Sequence, residues 1–264
     1  MSPIRLPYGY RGKCGVIVVG PNPTPREDIA RMVPEGVLVL ETRIDMEPRV
    51  EIDVISQLSR QLPEAARILS QAKCDVIAIA CTSGTVTGGP GHDKAEIRDM
   101  EAKSNGIPCT TVITAVTNAL NWMGIKKIVL ASPYVDPINE EFKSFFGSRG
   151  IQLLDIKGLG VTDSYELAAV PAAKVYKLGK AVCRPDAGAI YIPCTTFPVI
   201  DAIEELERDT GKVVITSNQA LAWEMMRNIG IGETRSGYGA LLARDGRCAF
   251  TPRDGEFAFG SQIP

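Results

Sequence analysis

The chain has 264 residues, 45% of them hydrophobic, enough to bury a large core as one big domain or two small ones. Its formal net charge of -2 supplies no basic field to hold nucleic acid or an anionic membrane surface, and its apolar runs are strand-sized, short of the ~20 residues that span a bilayer. The opening "MSPIRLPYGYRGK" lacks the apolar core of a signal peptide, so cytoplasmic residence is the expectation.

In chain order, the spacing of apolar residues predicts eight strands: "CGVIVV" (14–19), "GVLVLETRI" (36–44), "DVIAIA" (75–80), "PCTTVI" (108–113), "KKIVLA" (126–131), "IQLLDIKGL" (151–159), "AGAIYI" (187–192) and "KVVITS" (212–217). Helical segments lie between them. The stretch 50–72 reads as helix, kinked or divided by Pro63; "NEEFKSFFGSRG" stops at Gly147 or Gly150; "VIDAIEELERDTG" stops at Gly211. Short β-branched runs alternating with helices indicate an α/β fold with parallel sheets covered on both faces.

The order of elements repeats. Pro21 and Pro25 match Pro133 and Pro137 at an offset of 112, Cys81 matches Cys194 at 113, and Gly106, Thr111 and Ala115 match Gly211, Thr216 and Ala220 at 105. Landmarks at nearly one offset predict two similar doubly wound halves about a pseudo-twofold axis, with the active site between them. The first half takes residues 1–118 plus 218–242 and the second 119–217. Residues 243–264, where Phe250, Phe257 and Phe259 alternate with polar residues, read as an appendage.

Seven cysteines, none in CxxC spacing, argue against both a structural zinc site and a disulfide framework. Cys14, Cys74, Cys109 and Cys183 read as packing residues. Cys81 and Cys194 differ, because each ends a buried strand and runs into hydroxyl residues, "CTSGT" and "CTTF". In two halves packed with their strand ends facing, the two thiols confront each other across one cleft, where open α/β sheets bind ligands. Thr82, Ser83, Thr195 and Thr196 would then stand at helix N-termini, which hold carboxylates and favour thiolates, lowering one thiol into the working range. Two facing thiols can add to an electron-poor alkene or shuttle a proton at an α-carbon, with no metal or organic cofactor.

The chain resembles the aspartate/glutamate racemase superfamily, in the branch of maleate cis-trans isomerases, arylmalonate decarboxylases and their ectoine-utilisation relatives. The resemblance runs from about Gly15 to Leu242 and rests on "CTSGT" at 81, "GIPCTTVITAVTNAL" at 106, "PYVDPINEEF" at 133, "PCTTF" at 193, "VVITSNQALAW" at 213 and "GYGALL" at 237. It implies a cofactor-independent isomerase acting on a small carboxylate, with Cys81 as nucleophile and Cys194 as proton donor and acceptor. It implies further that Asn22 and Tyr134 grip the carboxylates and that Thr82, Ser83 and Thr195 complete the pockets. Ser164 stands where the isomerases tend to carry a substrate-binding Asn, and the decarboxylases carry glycine where this chain has Cys81. Maleate-type isomerisation is therefore the leading expectation, ahead of an amino-acid or hydantoin racemase, an arylmalonate-type decarboxylase, or a carboxylate-binding module without turnover. A homodimer or higher homo-oligomer is expected.

His92, the only histidine, lies in the glycine-rich "GGPGHDK" and reads as a solvated loop residue, a substrate-loop contact or a general base. The preceding "GTVTGGPG" lacks the Lys-Ser/Thr ending of a phosphate-binding loop. Trp122 and Trp223 fall on matching helices and read as core or interface.

Overall fold

The computed structural model describes residues 8–244; the 243–264 appendage and Cys248 lie almost wholly outside them. Among the described residues, eight strands form two four-stranded sheets. Strands β1 (Gly12–Val19), β2 (Val37–Ile44), β3 (Val76–Ala80) and β4 (Cys109–Thr111) make one sheet in the order β2-β1-β3-β4. Strands β5 (Lys127–Ser132), β6 (Gln152–Gly158), β7 (Ala189–Ile192) and β8 (Val213–Thr216) make the other in the order β6-β5-β7-β8. Every strand pairing is parallel, and the second order is the first shifted by four strands. The architecture is thus α/β with two similar halves.

The centre of each sheet explains the unbroken apolar runs. All of "VIAIA" in β3 and all of "AIYI" in β7 are buried, since a parallel strand covered by helices on both faces has no solvent side to alternate towards. The second half adds an aromatic cluster, Phe142, Phe145, Phe146 and Tyr191, with ring centroids 5.8–6.2 Å apart.

Several boundaries differ from the expected ones, each for a local reason. Segments 108–113 and 212–217 leave the sheet early because Thr111 and Thr216 are helix N-caps. Thr111 Oγ1 accepts the Thr114 N–H, and Thr216 forms a capping box with Gln219, so helices begin at Val112 and Ser217. The 50–72 stretch is divided ahead of Pro63, one of the two expected outcomes, and is not one kinked helix. Pro63 occupies the first turn of the helix Leu62–Gln71, where its missing N–H costs nothing, and the chain before it is a short helix Ile52–Ile55 and a 3₁₀ turn Leu58–Gln61. The helix after β5 runs from Asp136 to Ser148, passing through Gly147, while the one before β8 ends at Gly211 in left-handed conformation (φ +65°) as expected.

The helix Ser217–Asn228 follows the second sheet yet packs on β3 and on the helix Val112–Trp122 of the first. Trp122 and Trp223 meet there with centroids 5.6 Å apart, and the Arg227 guanidinium lies over both rings. Beside them Glu224 is buried, accepting one hydrogen bond from Asn118 Nδ2 (2.9 Å) while its second carboxyl oxygen has no hydrogen-bond partner. Burial pushes this carboxyl from its ordinary 4.5 up to about 7, against the opposing pull of Asn118 and Arg227. Because the folded value is raised, the group's contribution to stability is full below about pH 4.5 and is lost as pH rises through about 7. Urea denaturation of wild type and Glu224→Gln at several pH values should therefore show wild type losing on the order of 3 kcal/mol relative to the variant between these limits. A pH-independent difference between the two proteins would contradict this account.

Candidate active site

Cys81 follows β3 directly and caps the helix Thr82–Thr87, with extended backbone (φ −144°, ψ 102°). The Gly84 N–H and the Ser83 hydroxyl face its sulfur. Glycine at 84 allows this approach, since a Cβ there would stand 3.1 Å from Sγ. Cys194 follows β7 after Pro193, and the local structure departs from expectation. No helix begins here; residues 193–199 form a bent loop ahead of a 3₁₀ turn at Ile200–Ala202, so Thr195 and Thr196 are not at a helix N-terminus. Cys194 itself has φ +85°, one of three non-glycine residues in the left-handed region among those described, a conformation that costs on the order of 1–3 kcal/mol.

The other half holds that loop in place. Asn22 Nδ2 donates to Thr195 Oγ1 (2.9 Å), and Thr195 Oγ1 donates to the Ala80 carbonyl at the end of β3 (2.9 Å). Asn218 Nδ2 donates to the Thr195 carbonyl (2.9 Å) and to Asp28 (2.8 Å), while the Thr24 hydroxyl donates to the Thr196 carbonyl (3.1 Å). Strain at the cysteine is thus sustained by hydrogen bonds crossing between the halves.

Cys81, Thr82, Ser83, Tyr134, Ser164, Cys194 and Thr195 all line one narrow cleft of about 300 Å³, open mouth included. Asn22 does not. It is buried behind Thr195, with Nδ2 given to that hydroxyl and Oδ1 accepting the Thr24 N–H. Thr82 lines the cleft while its hydroxyl meets Ser217 Oγ (2.9 Å), which in turn meets the Tyr191 hydroxyl (3.2 Å). The sequence reading missed the apolar part of the wall, Val19, Met46, Val50 and Leu167. Met46 and Val50 come from a loop that stitches the halves together over the cleft, through Val50 N–H to the Thr162 carbonyl (2.6 Å) and Ser164 N–H to the Pro48 carbonyl (2.8 Å). No periodic pattern marks these residues; the nearest signal was the apolar residues flanking Pro48 in a segment otherwise rich in charge. His92 is not on the cleft wall, and opens the helix His92–Lys103.

Burial dominates the electrostatics of both thiols. Burial pushes the Cys81 thiol up to about 12, with Glu96 and Cys194 adding to the rise and Gly84 and Ser83 opposing it. Burial also raises Cys194, against Tyr134, both donors of Thr196 and the Phe197 N–H, and it holds the Tyr134 phenol well above its usual range. The expected lowering of one thiol is therefore present as donors and outweighed by desolvation. More donors face Cys194 than Cys81, and charge on Cys194 adds to the cost of ionising Cys81. Such a site can move one proton between two sulfurs and a substrate, or bring one sulfur to a carbon while the other handles the proton.

Two similar parallel-sheet halves with a thiol at the end of each third strand in the chain define an α/β enzyme of the two-lobed kind. The arylmalonate decarboxylase family matches residues 45–242, and the chain belongs to that family, in the branch shared with maleate isomerases. Arylmalonate decarboxylase of Bordetella bronchiseptica is 32% identical over 180 residues, 67% of this chain and 75% of that one. Maleate isomerase of Geobacillus stearothermophilus is 24% identical over 243 residues, 88% of this chain and 97% of that one. Among solved structures, a Nocardia farcinica maleate cis-trans isomerase variant, cysteine to serine, with a covalently bound succinylcysteine intermediate superposes with a TM-score of 0.84 at 20% identity, over 89% of this chain and 99% of that one. No helix among the described residues is long and apolar enough to cross a membrane.

The junction at Thr195 gives a direct test. Thr195→Val leaves Asn22 Nδ2 without its acceptor and the Ala80 carbonyl without its donor, so stability should fall by about 1–3 kcal/mol in urea denaturation. Thr195→Ser, which keeps the hydroxyl, should recover most of that loss. Equal loss in both variants would mean that packing of the threonine methyl, and not the hydrogen bonds, holds the loop.

Proposed function

We propose that this protein is a cofactor-independent isomerase that interconverts the cis and trans forms of a small unsaturated carboxylate. The observation that carries the reading is the pair of buried thiols, at matching places in two similar halves, on one cleft. A binding module has no need of paired thiols. The succinylcysteine in the Nocardia farcinica enzyme supports addition of a sulfur to an alkene carbon as chemistry available to this fold.

In the proposed cycle one proton is shared between the sulfurs, and it resides on Cys194 when Cys81 attacks. A lone pair on the Cys81 sulfur forms a bond to one alkene carbon; the π electrons move onto the neighbouring carbon, where the adjoining carboxylate spreads the charge and Cys194 delivers its proton. The former double bond, now single, rotates. The Cys194 thiolate takes the proton back, the C=C bond reforms and Cys81 leaves as thiolate, so atoms and electrons return to their starting count. The cleft-lining side chains of Tyr134, Ser83, Ser164 and Thr196 would receive the carboxylate oxygens. Asn22 serves this arrangement through Thr195, as a positioning residue rather than a substrate contact.

A second reading, proton transfer at an α-carbon with or without loss of CO₂, is favoured by two observations. The decarboxylase relative is the more identical one, and the thiolate-favouring donors gather on Cys194. Mutant panels separate the readings. For an isomerase, Cys81→Ala and Cys194→Ala should each lower turnover of cis-dicarboxylic alkenes by about a thousandfold or more. A racemase would keep, in each alanine variant, exchange of the α-proton of one enantiomer for deuterium in heavy water. A decarboxylase would tolerate Cys81→Gly and fail with Cys194→Ala on substituted malonates. Wild-type rates in both alanine variants on an accepted substrate would sink all of these mechanisms.

A further inference from the structure

Behind Cys81, on the side away from the cleft, lies a cluster of polar side chains that the reaction does not use. Glu96 is buried, yet three groups converge on its carboxylate: the Thr85 hydroxyl donates to Oε2 (2.8 Å), the Ser59 hydroxyl donates to Oε1 (2.7 Å), and His92 Nε2 lies 3.3 Å from Oε1. Ser59 Oγ is also 2.9 Å from His92 Nε2. The single Ser59 proton goes to Glu96, so the ring nitrogen must be the donor towards Ser59. The set is no Ser-His-Glu nucleophile, because carboxylate and hydroxyl meet the same ring nitrogen. It instead faces Cys81. Thr85 stands one turn along the helix that Cys81 caps, and its hydroxyl also reaches the Cys81 carbonyl (3.4 Å). The ring owes its place to glycine, since a Cβ at Gly88 would stand 2.1–2.7 Å from ring atoms of His92.

We propose that Glu96 and His92 are positioning residues for Cys81: Glu96 anchors the cysteine-capped helix through Thr85, and the imidazolium of His92 neutralises the buried carboxylate so that its charge does not suppress formation of the Cys81 thiolate. The role of the thiolate rests on the isomerase reading above, whereas the electrical coupling does not. Glu96 disfavours the Cys81 thiolate, and Glu96 also holds His92 in its charged form above the usual imidazole range. The other groups around the ring are Ser59, Asp93, which adds to its rise, and the Gly88 backbone. Asp93 is itself paired with Arg149 Nη2 (2.8 Å) and bonded by Thr114. As pH rises and His92 loses its proton, Glu96 stands uncompensated and Cys81 becomes harder to ionise. With the ion kept, the cost that Glu96 adds to forming the Cys81 thiolate is offset.

The test is site-resolved alkylation of Cys81 by iodoacetamide in the full-length protein, followed by peptide mass spectrometry, for wild type, His92→Gln, Glu96→Gln and the double variant. Glutamine at 96 keeps an acceptor for Thr85 without the charge. At pH 7, His92→Gln should slow alkylation of Cys81 about three- to tenfold, and Glu96→Gln should leave it at least as fast as wild type. The double variant should match Glu96→Gln, because His92 acts only through the carboxylate. Alkylation of Cys194 in the same samples should change less than that of Cys81. Additive effects in the double variant, or a Cys81 rate indifferent to His92→Gln, would overturn the proposal. If His92→Gln proves poorly folded by circular dichroism, wild type and Glu96→Gln suffice: their ratio of Cys81 rates should change across the His92 titration, and a constant ratio would equally overturn it. Turnover by Cys81→Ala tests the reaction assignment separately, so failure of one idea does not mimic failure of the other.

Discussion

The cleft depends on one shared hydroxyl. Thr195 Oγ1 accepts from Asn22 and donates to the carbonyl of Ala80, and Ala80 is the residue before Cys81. A side chain one residue from the second thiol is thereby bonded to the backbone one residue from the first. Because the junction is buried, breaking it exposes no water to replace the lost bonds, and the penalty of an unsatisfied donor and acceptor keeps the halves in register. The left-handed backbone of Cys194 is tolerable for the same reason: the hydrogen bonds that cross from Asn22, Thr24 and Asn218 over-determine the loop.

Both thiols are buried at this junction, and that burial bears on their ionisation. Two thiols removed from water resist ionisation, and donors around Cys194 only partly offset this. On the proposed isomerase reading, such a site holds its proton until a substrate arrives whose carbon can take up the charge. Met46, Val50 and Leu167 give the cleft an apolar wall.

Much of this was legible in the sequence, and the boundary of legibility is physical. The offsets linking Pro21 to Pro133 and Cys81 to Cys194 report a duplicated order of elements, and the two sheets have the same strand order. Buried parallel strands announce themselves as unbroken apolar runs, so β3 and β7, with the cysteines at their ends, could be placed without coordinates. The end of β8 is legible in the sequence, since Thr216 followed three residues later by Gln219 is a capping box, whereas Thr111, ahead of the helix after β4, has no such partner at Thr114. Other features leave no trace in one sequence. The positive φ of Cys194 arises from tertiary hydrogen bonds, and the loop bearing Met46 and Val50 closes over the cleft by pairing with residues more than a hundred positions away. Nor does the histidine in a glycine-rich stretch reveal that its ring will lie against Gly88 and meet a buried carboxylate.

The two halves share a strand order but not the surroundings of their thiols, and this inequality bears on mechanism. Cys81 sits on regular structure, at the cap of a helix anchored from behind by Glu96 and Thr85, with two donors near its sulfur. Cys194 sits on a strained loop surrounded by hydroxyl and backbone donors, Tyr134 foremost. Duplication alone would have given two equivalent acids, suited to taking a proton from either face with equal ease. Divergence has instead given one sulfur a fixed backbone and the other the means to hold negative charge after a proton leaves. A sulfur that must form and break a bond to carbon gains most from fixed geometry, since misplacement of the nucleophile is costly. A sulfur that only carries a proton gains most from donors that tune its basicity. On the proposed isomerase reading, this asymmetry fits a division of labour in which Cys81 meets carbon and Cys194 meets hydrogen.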